Sequence, residues 1–170
     1  MRAPSDFLII GIGNALRGDD GVGPWVAGRL REQLLPNVSI VEASGEGTAL
    51  METWKGASSV ILVDAVHSGA EPGTIHRLDA AAQPVRARFL RCSSHAFGVG
   101  EAVELARVLG QLPQRIIIYG IEGADFAAGT KLSPAVAQAV TKALRQLLAE
   151  IRAWSGEVPA PFDASPPIAL

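Results

Sequence analysis

Short, nearly unbroken apolar runs alternate along this chain with longer stretches in which apolar residues recur every three or four positions. The runs read as buried strands and the stretches as amphipathic helices. Phe7–Ile12 is the first strand. Pro24 suits a first helical turn, and Val26, Leu30 and Leu34 mark one stripe until Pro36 stops the helix. Val38–Glu42 is a second strand. Thr48 caps a helix through Leu50, Met51 and Trp54. Ser59–Ala65 is apolar nearly throughout, which predicts a central strand covered on both faces. Gly73–Asp79 alternates, as a half-exposed edge strand does. The segment from Ala80 to Arg91, containing Pro84, lacks a period and reads as a loop. Val99–Leu109 is helical, and Arg115–Ile121 is another buried strand. Ser133-Pro134 opens a last helix whose inner face carries Val136, Val140, Leu144, Leu147, Leu148 and Ile151.

Five strands alternating with four helices predict an α/β chain, a three-layer α/β/α sandwich with one edge hairpin. Residues 1–154 form a single domain. Residues 155–170 hold Pro159, Pro161, Pro166 and Pro167 and are expected to be an extended or disordered tail. Composition agrees with a packed domain, at 48% apolar and 19% charged residues. A net charge of -2 without a basic cluster argues against nucleic acid. No apolar run approaches a membrane span and no signal peptide is evident, so a cytoplasmic protein is expected. The single cysteine, Cys92, excludes an internal disulfide.

The most informative stretch is Gly11-Ile12-Gly13-Asn14-Ala15-Leu16-Arg17-Gly18-Asp19-Asp20-Gly21-Val22-Gly23. A strand feeds a glycine-punctuated turn that carries two carboxylates to the start of a helix. A dinucleotide loop is excluded by spacing, because Leu16 stands where the third glycine belongs. It is also excluded by charge, since Asp19 and Asp20 would repel a phosphate. Asp19 is assigned to capping the helix, which leaves Asp20 available.

Asp20 follows the first strand, Asp64 ends the central one and His95 precedes a helix. Exits of parallel neighbouring strands share one sheet edge, so the three side chains can converge. Two carboxylates and an imidazole suit nickel, zinc or iron with positions left open. Each also has a structural reading, as a cap, a turn acceptor or a loop histidine. His67 is the best substitute ligand and otherwise a surface residue. His76 is expected to face water. Cys92 is either a thiolate donor or a buried small residue, and Glu46 either touches substrate or is a solvated loop acid. There is no Cys-x-x-Cys, Gly-x-Ser-x-Gly or His-Glu-x-x-His motif.

In order and spacing the chain resembles the nickel–iron hydrogenase maturation endopeptidases. The resemblance rests on Gly11-Ile12-Gly13-Asn14 with Asp19-Asp20-Gly21-Val22-Gly23, on Val63-Asp64-Ala65, and on Ser94-His95 with Gly98. Tyr119-Gly120-Ile121-Glu122 and Leu132-Ser133-Pro134 extend it. The loop Glu42-Ala43-Ser44-Gly45-Glu46-Gly47-Thr48 departs from the shorter turn of many members. The resemblance implies a phosphorylase/hydrolase-like fold with a mixed five-stranded sheet. It also implies an endopeptidase that removes the C-terminal extension of a nickel-loaded hydrogenase large-subunit precursor. The family's metal-binding residues map onto Asp20, Asp64 and His95, with nickel supplied by the precursor. Two other readings remain at this stage: a non-catalytic chaperone or metal-delivery protein, and a self-contained metallopeptidase of related fold.

Overall fold

The computed structural model describes residues 7–86 and 97–155. Its elements run β1 (Phe7–Ile12), α1 (Val22–Glu32), β2 (Val38–Ala43), α2 (Gly47–Trp54), β3 (Ser59–Val66), β4 (Ile75–Asp79), α3 (Val99–Val108), β5 (Arg115–Glu122) and α4 (Pro134–Ser155). A 3-10 turn, Gly18–Gly21, leads into α1. One sheet has the order β2-β1-β3-β5-β4, in which β4 alone is antiparallel to its neighbour. The expected mixed α/β/α sandwich is therefore found, with β3 at its centre.

Alternation along the strands divides the core between two faces. Ile9, Ile61, Val63, Ile117 and Tyr119 face α1 and α4, together with Val26, Leu30, Val140 and Leu147. Leu8, Ile10, Val60, Leu62, Ile116 and Ile118 face α2 and α3, with Leu50, Trp54 and Val103. β1 and β3 are buried along their whole length, as strands covered on both sides must be. Each Val, Leu, Ile or Phe side chain among them contributes roughly 1.5–3 kcal/mol on burial. All six residues expected on the inner stripe of α4 are buried.

β4 lies at the sheet edge as expected, but the expected edge hairpin is not found among the described residues. β4 does not form a hairpin with β3; it pairs with β5, which is reached only after α3. β3 is already flanked by β1 and β5, so β4 cannot pair with it and takes an open edge of the sheet, the outer side of β5. Arg77 then ties β4 to α4, donating from Nε and Nη2 to Glu150 at 2.7 Å each, while the Tyr119 hydroxyl donates to the same carboxylate at 2.9 Å. Helix α1 stops at Glu32, short of the expected Leu34, because Leu34 and Asn37 turn left-handed at φ 48° and 57°. No helix among the described residues is long and apolar enough to cross a membrane. Ser155, expected to open the tail, is instead the last residue of α4; the rest of the expected tail, 156–170, lies outside the described residues, as do 87–91 of the loop expected from Ala80 to Arg91.

Candidate active site

β1 and β3 lie side by side and in parallel, with Gly11 opposite Val63. Their C-terminal ends thus emerge together. The amino end of α1 rests directly on them: a Cβ at Gly23 would meet the Val63 carbonyl oxygen at 2.5 Å. Gly13 turns the chain away from β1 at φ 135°, and a side chain there would run into the Asp20 carbonyl. Only glycine suits a position that combines that dihedral with that contact. The two glycines bring the 3-10 turn into contact with β3.

The turn holds Asp20 half-buried, and its Oδ2 accepts a hydrogen bond from the Asn14 amide at 3.0 Å. Asp64 lies within β3, which continues two residues beyond it to Val66, and is only 4% exposed. It is in register with Gly120 of β5, which in turn faces His76 of β4. Burial pushes the Asp64 carboxyl well above the usual carboxylate range, and the negative charge of Asp20 pushes it further. The Ala65 amide opposes the rise without cancelling it. Two acids far apart in sequence therefore share one mouth and repel each other there.

The third expected member, His95, lies outside the described residues, and so does Cys92. Among the described residues no three His, Cys, Asp or Glu side chains are grouped as a metal would need. His67 is exposed after β3, with its ring edge-on to Phe126 at 5.9 Å.

Asp19 does not cap α1. Its side chain points away from that helix, is fully buried and accepts from the Ala124, Asp125 and Ser133 amides and from the Ser133 hydroxyl. The N-cap position of α1 is Gly21, which has no side chain to offer. Burial alone would raise the Asp19 carboxyl; the three amides and the hydroxyl outweigh it and hold the group below its ordinary value.

His76 does not face water. It shares the α2/α3 face with Leu78, and its Nε2 lies 3.3 Å from Glu122 Oε2. Glu122 is 1% exposed and also accepts from the Ser68 amide and hydroxyl and the Gly69 amide. Those partners overcome the cost of burial and keep Glu122 an anion. It fastens the loop that follows Asp64, a role the sequence reading missed. Nothing local announces it, because the donors are 53 and 54 residues away.

Glu46 is not a solvated acid either. Helix α2 starts two residues earlier than expected, at Gly47, so the N-cap falls on Glu46 and not on Thr48. The Glu46 carboxylate accepts from the Thr48 and Ala49 amides at 3.0 and 2.8 Å, and the Thr48 hydroxyl donates to it.

Known proteins share this architecture. The family described as HycI, hydrogenase maturation protease, matches residues 25–150. The hydrogenase expression/formation protein HupD of Rhodobacter capsulatus is 31% identical over 158 residues, covering 91% of this chain and 75% of the relative. The hydrogenase 2 maturation protease of Escherichia coli is 28% identical, over 86% of this chain and 90% of its own. The solved structure of the hydrogenase maturating endopeptidase HybD from Escherichia coli superposes with a TM-score of 0.73 at 26% identity, covering 87% of this chain and 93% of that one. Fold, motif order and sequence similarity over most of the chain agree, which sets aside the non-catalytic reading. The chain belongs to the hydrogenase maturation protease family and is an endopeptidase.

Proposed function

We propose that this endopeptidase removes the C-terminal extension of a nickel-loaded hydrogenase large-subunit precursor, and that it recognises the substrate's nickel through Asp20, Asp64 and His95. The observation that carries the reading is the mutual repulsion of Asp20 and Asp64 at the exits of β1 and β3. A buried carboxyl beside a second carboxylate holds its proton unless a cation takes that proton's place. A divalent ion offered by the substrate relieves both the burial and the repulsion, so the pair is primed for a guest carrying positive charge. Two carboxylates and a neutral imidazole are donors that nickel accepts, and they leave positions for the ligands it brings from the precursor.

Docking by the metal fixes the precursor against the sheet edge and turns an encounter between two proteins into an oriented complex. Ideal orientation of this kind lowers a barrier by up to ~7–11 kcal/mol. While bound, the nickel also supplies Lewis-acid polarisation of a nearby carbonyl or water. The Asn14 backbone amide contributes by donating to Asp20 Oδ2, which keeps that oxygen aimed.

The test is intact-mass analysis of a precursor incubated with enzyme. Wild type shortens nickel-loaded precursor and leaves nickel-free precursor untouched. Asp20→Ala, Asp64→Ala and His95→Ala each leave the loaded precursor at full length. Complete cleavage by any of these variants removes that residue from the site. Stoichiometric metal in the purified enzyme, with cleavage of unrelated peptides, would replace this reading by a self-contained metallopeptidase.

A further inference from the structure

The chain that carries Asp20 is fastened to a segment more than a hundred residues downstream. The Gly18 amide donates to the Gly129 carbonyl at 2.8 Å, the Gly129 amide to the Leu16 carbonyl at 2.9 Å, and the Asp19 amide to the Asp125 carbonyl at 2.8 Å. Asp19 closes this strap from the inside. Oδ2 accepts from the Ala124 amide at 2.7 Å, the Asp125 amide at 2.9 Å and the Ser133 hydroxyl at 2.8 Å, and Oδ1 accepts from the Ser133 amide at 2.7 Å. These partners lie 105 to 114 residues away in sequence. They span the whole segment between the exit of β5 and the start of α4.

An acid is needed there for a chemical reason. All four partners are donors, and only a carboxylate offers two oxygens with no hydrogen of its own. An asparagine would turn an NH2 group toward one of those N–H donors. Nor can Asp19 serve as a ligand while it makes these bonds, because its accepting positions are directed into the strap.

We propose that Asp19 is a positioning residue for the peptidase site: by clasping the 124–133 segment to the 3-10 turn, it sets the direction in which Asp20 approaches Asp64. The turn is short, and Asp19 and Asp20 are consecutive within it. With one side chain anchored inward, the next projects from the opposite side of the turn toward the exit of β3. Gly13 and Asn14 then fix the height and aim of its carboxylate. If the clasp is lost, the turn keeps its sequence but not its orientation. The role rests on the nickel-docking reading, since it acts through Asp20.

Steady-state processing of nickel-loaded precursor by the full chain tests it, at a temperature where circular dichroism shows each variant folded. Asp19→Asn should lower kcat/KM by about 10–100-fold, as loss of a group supporting a ligand does. The loss should fall mainly on KM, because docking is what Asp20 provides. Ser133→Ala, which keeps the amide and removes one donor, should lose less than tenfold and in the same parameter. Glu150→Gln disrupts a comparable cluster of hydrogen bonds on the α4 side and should process at the wild-type rate whatever its Tm.

Wild-type kcat/KM in folded Asp19→Asn overturns the proposal while leaving Asp20 as a ligand. Should Asp19→Asn not fold, a wild-type KM in Ser133→Ala overturns it instead. Equal losses in Asp19→Asn and Glu150→Gln would mean that both residues only stabilise the fold. Wild-type processing by Asp20→Ala would sink the docking reading and this inference with it.

Discussion

Asp19 and Asp64 are both buried aspartates at the same end of the same sheet, and their surroundings drive them in opposite directions. Asp19 sits in the strap among four donors, and its carboxyl is held below the ordinary range. Asp64 sits in the mouth beside Asp20, and its carboxyl is pushed well above that range. Burial acts on both with the same sign. What differs is whether the protein itself supplies the positive partners or leaves a negative neighbour. A carboxylate the fold has satisfied is part of the structure; one buried beside a negative neighbour is a candidate for the role proposed for Asp64.

The sharpest way to break that contrast is to give Asp64 an uncharged copy of its own shape. Asp64→Asn should reduce precursor processing by at least ~10²–10³-fold, because on the proposed docking it removes the group that meets the substrate's charge. The same change should leave the resting protein more stable, by about 1 kcal/mol, since it removes a buried carboxyl from beside Asp20. For a domain of this size that is a rise in Tm of about 2–4 °C. The gain should grow with pH. A carboxyl whose folded value is raised binds its proton more tightly when folded, so wild-type stability declines as pH climbs above the ordinary value of about 3.9. Thermal melts of both proteins from pH 4 to 8 measure this. A lower Tm for Asp64→Asn across that range would show that the mouth is not strained.

The strap should respond in the reverse sense. Asp19→Asn should destabilise by about 2–4 kcal/mol, because buried donors lose the anion that satisfied them. The sign of its pH dependence is opposite as well. The folded value is depressed, so the stabilisation is complete above about pH 4 and disappears as pH falls through the folded value. Wild type and Asp19→Asn should therefore converge in acid. Urea titrations at pH 7 and pH 3 would show it, and a constant difference between them would contradict the assignment. Glu122→Gln should behave likewise with a smaller loss, about 1–3 kcal/mol, since an amide can still accept from Ser68 and Gly69 through one oxygen.

This opposition also explains what the sequence could and could not reveal. β1, β3 and β5 were legible because strands covered on both faces must be apolar in unbroken runs, and nothing else in the chain looks like Ile-Leu-Val preceding a lone aspartate. Asp20 and Asp64 could be placed at one edge because parallel neighbours end together. The partner of β4 was not legible, because its choice depends on which side of the sheet is vacant once β3 is flanked. Nor could Asp19 be told from its neighbour. Two adjacent aspartates are chemically identical until a turn sends one inward, and the donors that decide it come from Ala124, Asp125 and Ser133. Glu46 and Thr48 exchange roles for a smaller reason: two more residues of helix move the cap by two positions. Long-range hydrogen bonds carry no local signature, and each reassigned acid makes one or lies within one residue of a shifted boundary.

The weakest expected effect lies where neither burial nor a crowded partner set acts. Glu52 pairs with Lys55 at 3.4 Å on α2, with side chains 76% and 73% exposed. Water solvates both charges whether or not they meet, and holding two long side chains together costs entropy that cancels most of the attraction. Glu52→Gln should therefore change stability by no more than about 0.5 kcal/mol, with processing unaltered, and any residual effect should vanish in 0.5 M salt. Glu150→Gln should fall between this pair and the buried acids, at about 1 kcal/mol. Its Arg77 partner is itself 46% exposed, while the Tyr119 hydroxyl bonded to it is buried. Chemical denaturation of the whole acid series orders the effects by environment. If Glu52→Gln proved as costly as Glu122→Gln, charge alone would be setting stability, and the contrast between strap and mouth would lose its physical basis.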